Sequence, residues 1–397
     1  MSTRQESDNT MIQRTLFSAD HEAFRDSFRR FMENEIAPHH EAWEEQGYVD
    51  REVWRKAGQN GFLCMTMPEA YGGSDADKLY SVVQMEELAR GGFSGIGYGL
   101  HSEIVAPYIL HYGTEAQKAK YLPLLASGEM VGAIAMSEPE AGSDLQGVKT
   151  TALKQSDGSY LMNGSKTFIT NGWHADLVIV VAKTNPAAGG KGTSLFLVER
   201  STPGFEKGKR LKKLGLKAQD TSELFFDNVK LAPEQLLGGE AQENRGFICL
   251  MEQLPWERLQ IAIGAVSAAQ AAIDWTVDYV KERKVFGTTV GAMQNTRYKL
   301  AEMQTEVQVA RVFVDKCCEL IVKEQLDTAT ASMAKYWCSD LQCKVMDECV
   351  QLFGGYGYMW EYPITRAYAD ARVQRIYGGT NEIMKEVISR GMGLGGR

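Results

Sequence analysis

From Ser18 to about Met130, apolar residues recur at three- and four-residue steps, as in Phe24, Phe28, Phe31, Met32 and Ile36, with charged residues between them. That spacing is the apolar stripe of a packed helix. It predicts a helical domain over residues 16–131. Between 132 and 240 the period changes. Leu177-Val178-Ile179-Val180-Val181 is an unbroken apolar run, Ser194-Leu195-Phe196-Leu197-Val198 follows Gly189-Gly190-Lys191-Gly192, and Leu224-Phe225-Phe226 runs into the turn residues Asp227-Asn228. These are strand signals, and they predict a small β domain. The glycine-and-lysine loop lacks the spacing of a phosphate loop and reads as a hairpin turn. From 241 to 397 long helical periods return over 257–284, 293–324 and 326–352, with Asp327 as N-cap of the third. Helices of that length pack as a bundle. The chain therefore reads as mainly α with a central β domain.

Two stretches stand out from this pattern. The first is Ala133 to Asp144, an apolar strand that breaks into a turn carrying Ser137, Glu138, Pro139, Gly142 and Ser143. Proline removes a donor, glycine admits close approach, and short hydroxyls beside free peptide N–H groups suit a flat polar ligand. An ordinary strand-to-loop turn has the same composition. The second is the crowding of Gly91, Gly92, Gly95, Gly97 and Gly99 in a segment that otherwise reads as helix through Ile104. Missing side chains there leave either depth for a ligand or room for close helix packing.

Composition narrows the class. At 397 residues the length suits two to three domains, and 44% hydrophobic with 24% charged residues is an ordinary globular balance. A net charge of -8, with Lys and Arg mixed among acids, argues against a nucleic-acid surface. Seven cysteines include no CxxC pair and read as reduced core thiols, and no histidine spacing implies a metal site. Met1 to Gln13 is polar and carries Glu6 and Asp8, unlike a signal or transit peptide, and no apolar run is long enough to span a bilayer. The expectation is a cytoplasmic enzyme with no integral membrane segment.

Met136-Ser137-Glu138-Pro139 with Ala141-Gly142-Ser143-Asp144 resembles the flavin-binding signature of the acyl-CoA dehydrogenase family. Thr167-Phe168-Ile169-Thr170-Asn171-Gly172, Arg283-Lys284-Val285-Phe286-Gly287, Gln351 to Gly357 and Ile376 to Glu382 follow in the family's order and spacing. Gly215 to Thr221 and Tyr358 to Pro363 resemble its long-chain branch. The resemblance implies an N-terminal helical domain, a β-barrel-like middle domain and a C-terminal four-helix bundle. It also implies FAD, one non-covalent molecule per chain, since no His or Cys stands in the flavin blocks.

In the resemblance, Ala135, Met136, Ser137, Gly142 and Ser143 cradle the flavin, while Phe168, Ile169 and Thr170 lie along its ring. Arg283, Phe286, Gln294, Gln351, Gly354 and Gly355 resemble positions that grip the pyrophosphate and adenosine, some from a neighbouring subunit; Thr380 and Glu382 resemble the remaining contacts. Many family members place the catalytic Glu directly after Ile-Tyr in the C-terminal motif, where this chain has Gly378. The long-chain and isovaleryl branches carry it at the start of a helix, before Arg. Here that sequence is Trp256-Glu257-Arg258, which makes Glu257 the candidate base. On residue type alone, Glu257 after Pro255 could equally complement a helix N-terminus. A carboxylate closed off by acyl chain and flavin should have a raised pKa, suited to taking a weakly acidic α proton. Ser143, Arg258, Tyr377 and Gly378 are the substrate-binding candidates, Gly378 through its peptide N–H on the thioester carbonyl.

The implied reaction is α,β-dehydrogenation of long or branched acyl-CoA thioesters by a homotetramer, with an electron-transfer flavoprotein as acceptor. An acyl-CoA oxidase or flavin monooxygenase on the same fold is the alternative, disfavoured by the lack of the oxidases' long C-terminal extension. A non-catalytic acyl-CoA binder is the third reading, and Glu257 argues against it.

Overall fold

The computed structural model describes residues 12–394. Twelve helices appear among the described residues: α1 (Ala19–Phe31), α2 (His40–Gln46), α3 (Arg51–Gln59), α4 (Lys78–Gly91), α5 (Tyr98–Leu100), α6 (Ala106–Tyr112), α7 (Glu115–Ala126), α8 (Gly246–Glu282), α9 (Gln294–Val322), α10 (Thr328–Phe353), α11 (Pro363–Ala371) and α12 (Asn381–Gly391). The strands are β1 (Gly132–Ala135), β2 (Thr151–Lys154), β3 (Tyr160–Thr170), β4 (Leu177–Lys183), β5 (Thr193–Glu199), β6 (Phe205–Arg210), β7 (Thr221–Leu231), β8 (Lys284–Val285) and β9 (Thr288–Thr289). Among the described residues the chain divides into two compact units, one of Arg30–Ser81 with Phe93–Glu257, the other of residues 12–29, Val82–Gly92 and 258–394.

The first of these holds the seven-stranded sheet, in the order β1-β4-β2-β3-β7-β6 with β5 paired to β4. β1 runs parallel to β4, and β3 pairs antiparallel with β7. One face of β4 and β5 packs with Val105, Tyr108, Ile109, Leu122 and Leu125 from the helices; the other packs with Tyr160, Met162 and Phe226. Because β4 is covered on both faces, it reads as the continuous apolar run seen in the sequence. The 189–193 loop joins β4 to β5 as expected of a hairpin, wound as a 3₁₀ turn. Asp227-Asn228 does not end a strand. β7 continues to Leu231, and Asn228 takes a φ of 49° beside a register shift with β3, so a bulge absorbs the turn-prone pair.

The second unit is built on α9, α10, α12 and the greater part of α8. Asp327 caps α10, its carboxylate accepting from the N–H of Ala329 and Thr330 at 2.9 Å. The N-terminal segment is tied in by a buried ion cluster centred on Glu86, which accepts from Arg14 at 2.7 Å, Arg25 at 3.1 Å and Arg311 at 2.9 Å. The three guanidinium groups hold the Glu86 carboxyl down at about 2 despite full burial.

Two expectations about helices are corrected. α8 starts at Gly246, ahead of Pro255, so Glu257 lies three turns in and no helix N-terminus accounts for it. Proline loses one backbone bond, and burial of Cys249, Leu250 and Leu254 upstream outweighs that loss. The glycine segment also breaks: α4 ends at Gly91, and α5 leads into a π turn at His101–Val105. A Cβ on Gly97 would stand 2.1 Å from Asn171 Oδ1, and Gly95, at φ 85°, would meet the Gln219 nitrogen at 2.6 Å. These glycines serve close packing and backbone geometry rather than open depth.

Candidate active site

Two flavin-like blocks meet in the sheet-bearing unit. The end of β1 and the end of β3 are joined by the Thr167 N–H donating to the Ser137 carbonyl at 3.0 Å. Ala135, Met136 and Ser137 thereby come beside Phe168, Ile169 and Thr170. Ala135 and Ile169 are buried; Met136, Ser137 and Thr170 are half-buried. Phe168 sits at a register shift of β3 with a φ of 60°, and its ring is 70% exposed. Such a backbone is costly for an aromatic residue and is held by its surroundings. Gly142 and Ser143 are exposed on the following loop, with open space where a Gly142 side chain would be.

Sequence reasoning missed what fixes this arrangement. Lys166, with its side chain fully buried, donates to Glu138 Oε1 at 2.8 Å and to the Met136 carbonyl at 3.0 Å. Glu138 also accepts the N–H of Lys149 at 2.5 Å and of Thr150 at 3.0 Å. Burial pushes the Lys166 ammonium down to about 8, while Lys166 and the two peptides hold the Glu138 carboxyl below its ordinary range. No sequence signal marks this pair, because a lysine in a strand pattern carries no record of whether it faces solvent.

Glu257 belongs to the same unit. It is 8% exposed, and its Oε1 accepts from the Tyr108 hydroxyl at 3.0 Å. Its neighbour Trp256 donates its indole N–H to Glu103 at 3.3 Å, under the Lys78 ammonium 4.6 Å from the ring centre.

The other candidates lie in the helical unit. Arg283, Gln351, Gly354 and Gly355 come together on a groove of about 470 Å³, with Tyr279 and Tyr356 as aromatic walls. The Arg283 guanidinium stands 5.3 Å from the Tyr356 ring centre, and neither glycine has an atom within 4 Å of where a side chain would start. Phe286 turns the β8–β9 hairpin with a φ of 49° and is 96% exposed. Gln294 opens α9 and bonds Tyr298; Thr380 caps α12, and Glu382 is exposed in that helix's first turn. The Gly378-Gly379 turn has φ values of 65° and 91°, and the Gly379 carbonyl accepts from buried Lys335 at 2.7 Å. Arg258 is buried and donates to Ser332 at 3.1 Å, and Tyr377 bonds Gln374.

Each of these donor sets, taken in its own unit, suits one part of a dinucleotide flavin. The groove offers a guanidinium, an amide, glycine peptides and aromatic walls, which match a pyrophosphate with its adenosine. The β1–β3 patch offers an exposed ring and two hydroxyls, which match a flat heteroaromatic system.

The chain belongs to the acyl-CoA dehydrogenase family. Its N-terminal domain matches residues 18–129, its middle domain 133–229 and its C-terminal domain 244–393. The chain is 54% identical over 379 residues to the mouse (Mus musculus) long-chain specific acyl-CoA dehydrogenase, mitochondrial, covering 95% of this chain and 87% of the relative. It is 42% identical to an acyl-CoA dehydrogenase of Bacillus subtilis, covering 94% and 97%. The crystal structure of an acyl-CoA dehydrogenase from Geobacillus kaustophilus matches with a TM-score of 0.94 and 48% identity, covering 96% of this chain and all of that one.

Proposed function

We propose that this protein is an FAD-dependent acyl-CoA dehydrogenase that converts long-chain acyl-CoA thioesters to trans-2-enoyl-CoA, with Glu257 as the base. The observation that carries the role of Glu257 is its burial within α8 beyond the reach of any helix-end effect, bonded to a buried phenol and standing in the Trp-Glu-Arg sequence that resembles the family's base. The 54% identity to a long-chain specific relative supports the chain-length preference.

Bound FAD supplies the hydride acceptor that no side chain offers. Glu257 takes the α proton onto its carboxylate. The Gly378 N–H donates to the thioester carbonyl and stabilises the negative charge developing there. Phe168, Ser137 and Thr170 hold and orient the ring, and Arg283, Gln351, Gly354 and Gly355 hold the phosphate and nucleoside end. Exposed apolar side chains on the helical unit, including Phe286, Val309, Trp337 and Tyr358, support a homotetramer in which one copy completes another's cofactor site. An electron-transfer flavoprotein is the proposed acceptor and the cytoplasm the proposed location.

Anaerobic addition of saturated acyl-CoAs from butanoyl to hexadecanoyl tests the reading. The yellow holoprotein should bleach, with the longer chains preferred. A protein that stays colourless after FAD addition, or that bleaches with no acyl-CoA, would overturn it.

A further inference from the structure

Consecutive residues of α8, Trp256 and Glu257, are each held by one short segment. Glu103, in the π turn His101–Val105, accepts from the Trp256 indole at 3.3 Å and from the Ser81 hydroxyl at 2.7 Å. Tyr108, in α6, donates to Glu257 at 3.0 Å. Glu103, Tyr108 and Trp256 are all buried. On an uninterrupted α-helix, residues five apart point about 140° away from each other. A π turn takes up one extra residue, so Glu103 and Tyr108 act as residues four apart and reach the same stretch of α8. The irregular turn is therefore what lets one segment grip both.

We propose that Tyr108 is the positioning residue of the base. Its hydroxyl fixes the Glu257 carboxylate in one orientation, while Glu103 pins the adjacent indole and so the helix backbone beneath it. The inference rests on the reading of Glu257 as base. The terminal torsion of a glutamate is broad, so a carboxylate without this donor samples orientations that do not face the α carbon. A donor to a buried charge is among the stronger hydrogen bonds, and its loss should slow proton abstraction by about ten- to a hundredfold.

Tyr108→Phe removes one oxygen from a buried site and leaves the ring. The holoenzyme would be mixed anaerobically with hexadecanoyl-CoA, unlabelled or α,α-dideuterated, while flavin bleaching is followed in a stopped-flow instrument. Affinity for trans-2-hexadecenoyl-CoA would be read from the flavin spectrum. Expected are a rate at least tenfold lower, an α-deuterium isotope effect at least as large as wild type's, and enoyl-CoA affinity within about twofold. A Tyr108→Phe rate within twofold of wild type, with Glu257→Gln inactive, overturns the proposal and leaves the base in place. Glu257→Gln bleaching at the wild-type rate overturns both. If the Phe variant does not fold, 4-fluorophenylalanine at 108 decides: fluorine fills the place of the oxygen without donating, so bleaching should slow at least tenfold, and an unchanged rate overturns the proposal.

Discussion

Lys166→Met tests whether the buried ion pair holds the two flavin blocks together. The substitution keeps the length and apolar stem of the side chain but removes a charge with no exposed surface, leaving Glu138, whose side chain is 3% exposed, without its counter-ion. Removing one partner of a buried pair costs about 3–5 kcal/mol. The Lys149 and Thr150 peptides still donate to Glu138, which places the expected loss near the lower end, about 3 kcal/mol. The Met136 carbonyl also loses its donor, so the turn carrying Ser137 loosens and FAD should dissociate faster. Urea unfolding of the holoprotein gives the stability, and flavin fluorescence after dilution gives the release rate. Adding Glu138→Gln should recover only part of the loss, because the neutral amide no longer needs the ammonium but turns its NH2 toward one of the two peptide N–H donors. A Lys166→Met variant as stable as wild type, with unchanged FAD release, would refute the reasoning.

Two further outcomes follow from buried groups. His101 accepts the Gly132 N–H at 3.0 Å and donates to the Leu125 carbonyl at 2.9 Å, and burial pushes its pKa from 6.5 down to about 4. The unfolded chain therefore takes up the proton first: stability is fully present above about pH 6.5 and falls as the pH drops toward 4, by about 3 kcal/mol from this group. His174, also held down by burial, adds in the same direction. Unfolding midpoints against pH should show this slope, and His101→Gln should flatten it. Gly97→Ala would force a methyl to 2.1 Å from the buried Asn171 amide, costing about 1–3 kcal/mol and lowering activity equally on short and long acyl-CoAs. A loss confined to long chains would instead favour the reading of these glycines as depth for a ligand.

Local periodicity carried most of the fold. The change from three- and four-residue steps to apolar runs marks the β strands, and the Asp327 cap is where the pattern places it. Local rules failed where packing overrode them. Pro255 looks like a helix boundary, yet α8 runs through it because Cys249, Leu250 and Leu254 bury their side chains on the preceding turns. The π turns at Met32–Ile36 and His101–Val105 leave no mark in a sequence that scans as helix. The turn from Ser137 to Ser143 stands out in the sequence because turn chemistry and ligand chemistry both call for Gly, Pro and Ser, whereas Phe168, Ile169 and Thr170 are candidates through the family resemblance alone. Lys166 with Glu138, Tyr108 with Glu257, and Arg311 with Glu86 were not, since each pair joins positions far apart in the chain and a lone charge or phenol carries no record of its partner.

The role of Glu257 is tested most directly by mixing the Glu257→Gln holoprotein anaerobically with hexadecanoyl-CoA and timing the bleaching of its flavin. The amide keeps the size of the side chain and can still accept from Tyr108, but it cannot take a proton from carbon. Bleaching should slow by about 10²- to 10⁴-fold, with FAD content and enoyl-CoA binding unchanged. Bleaching at a rate near wild type would contradict the assignment.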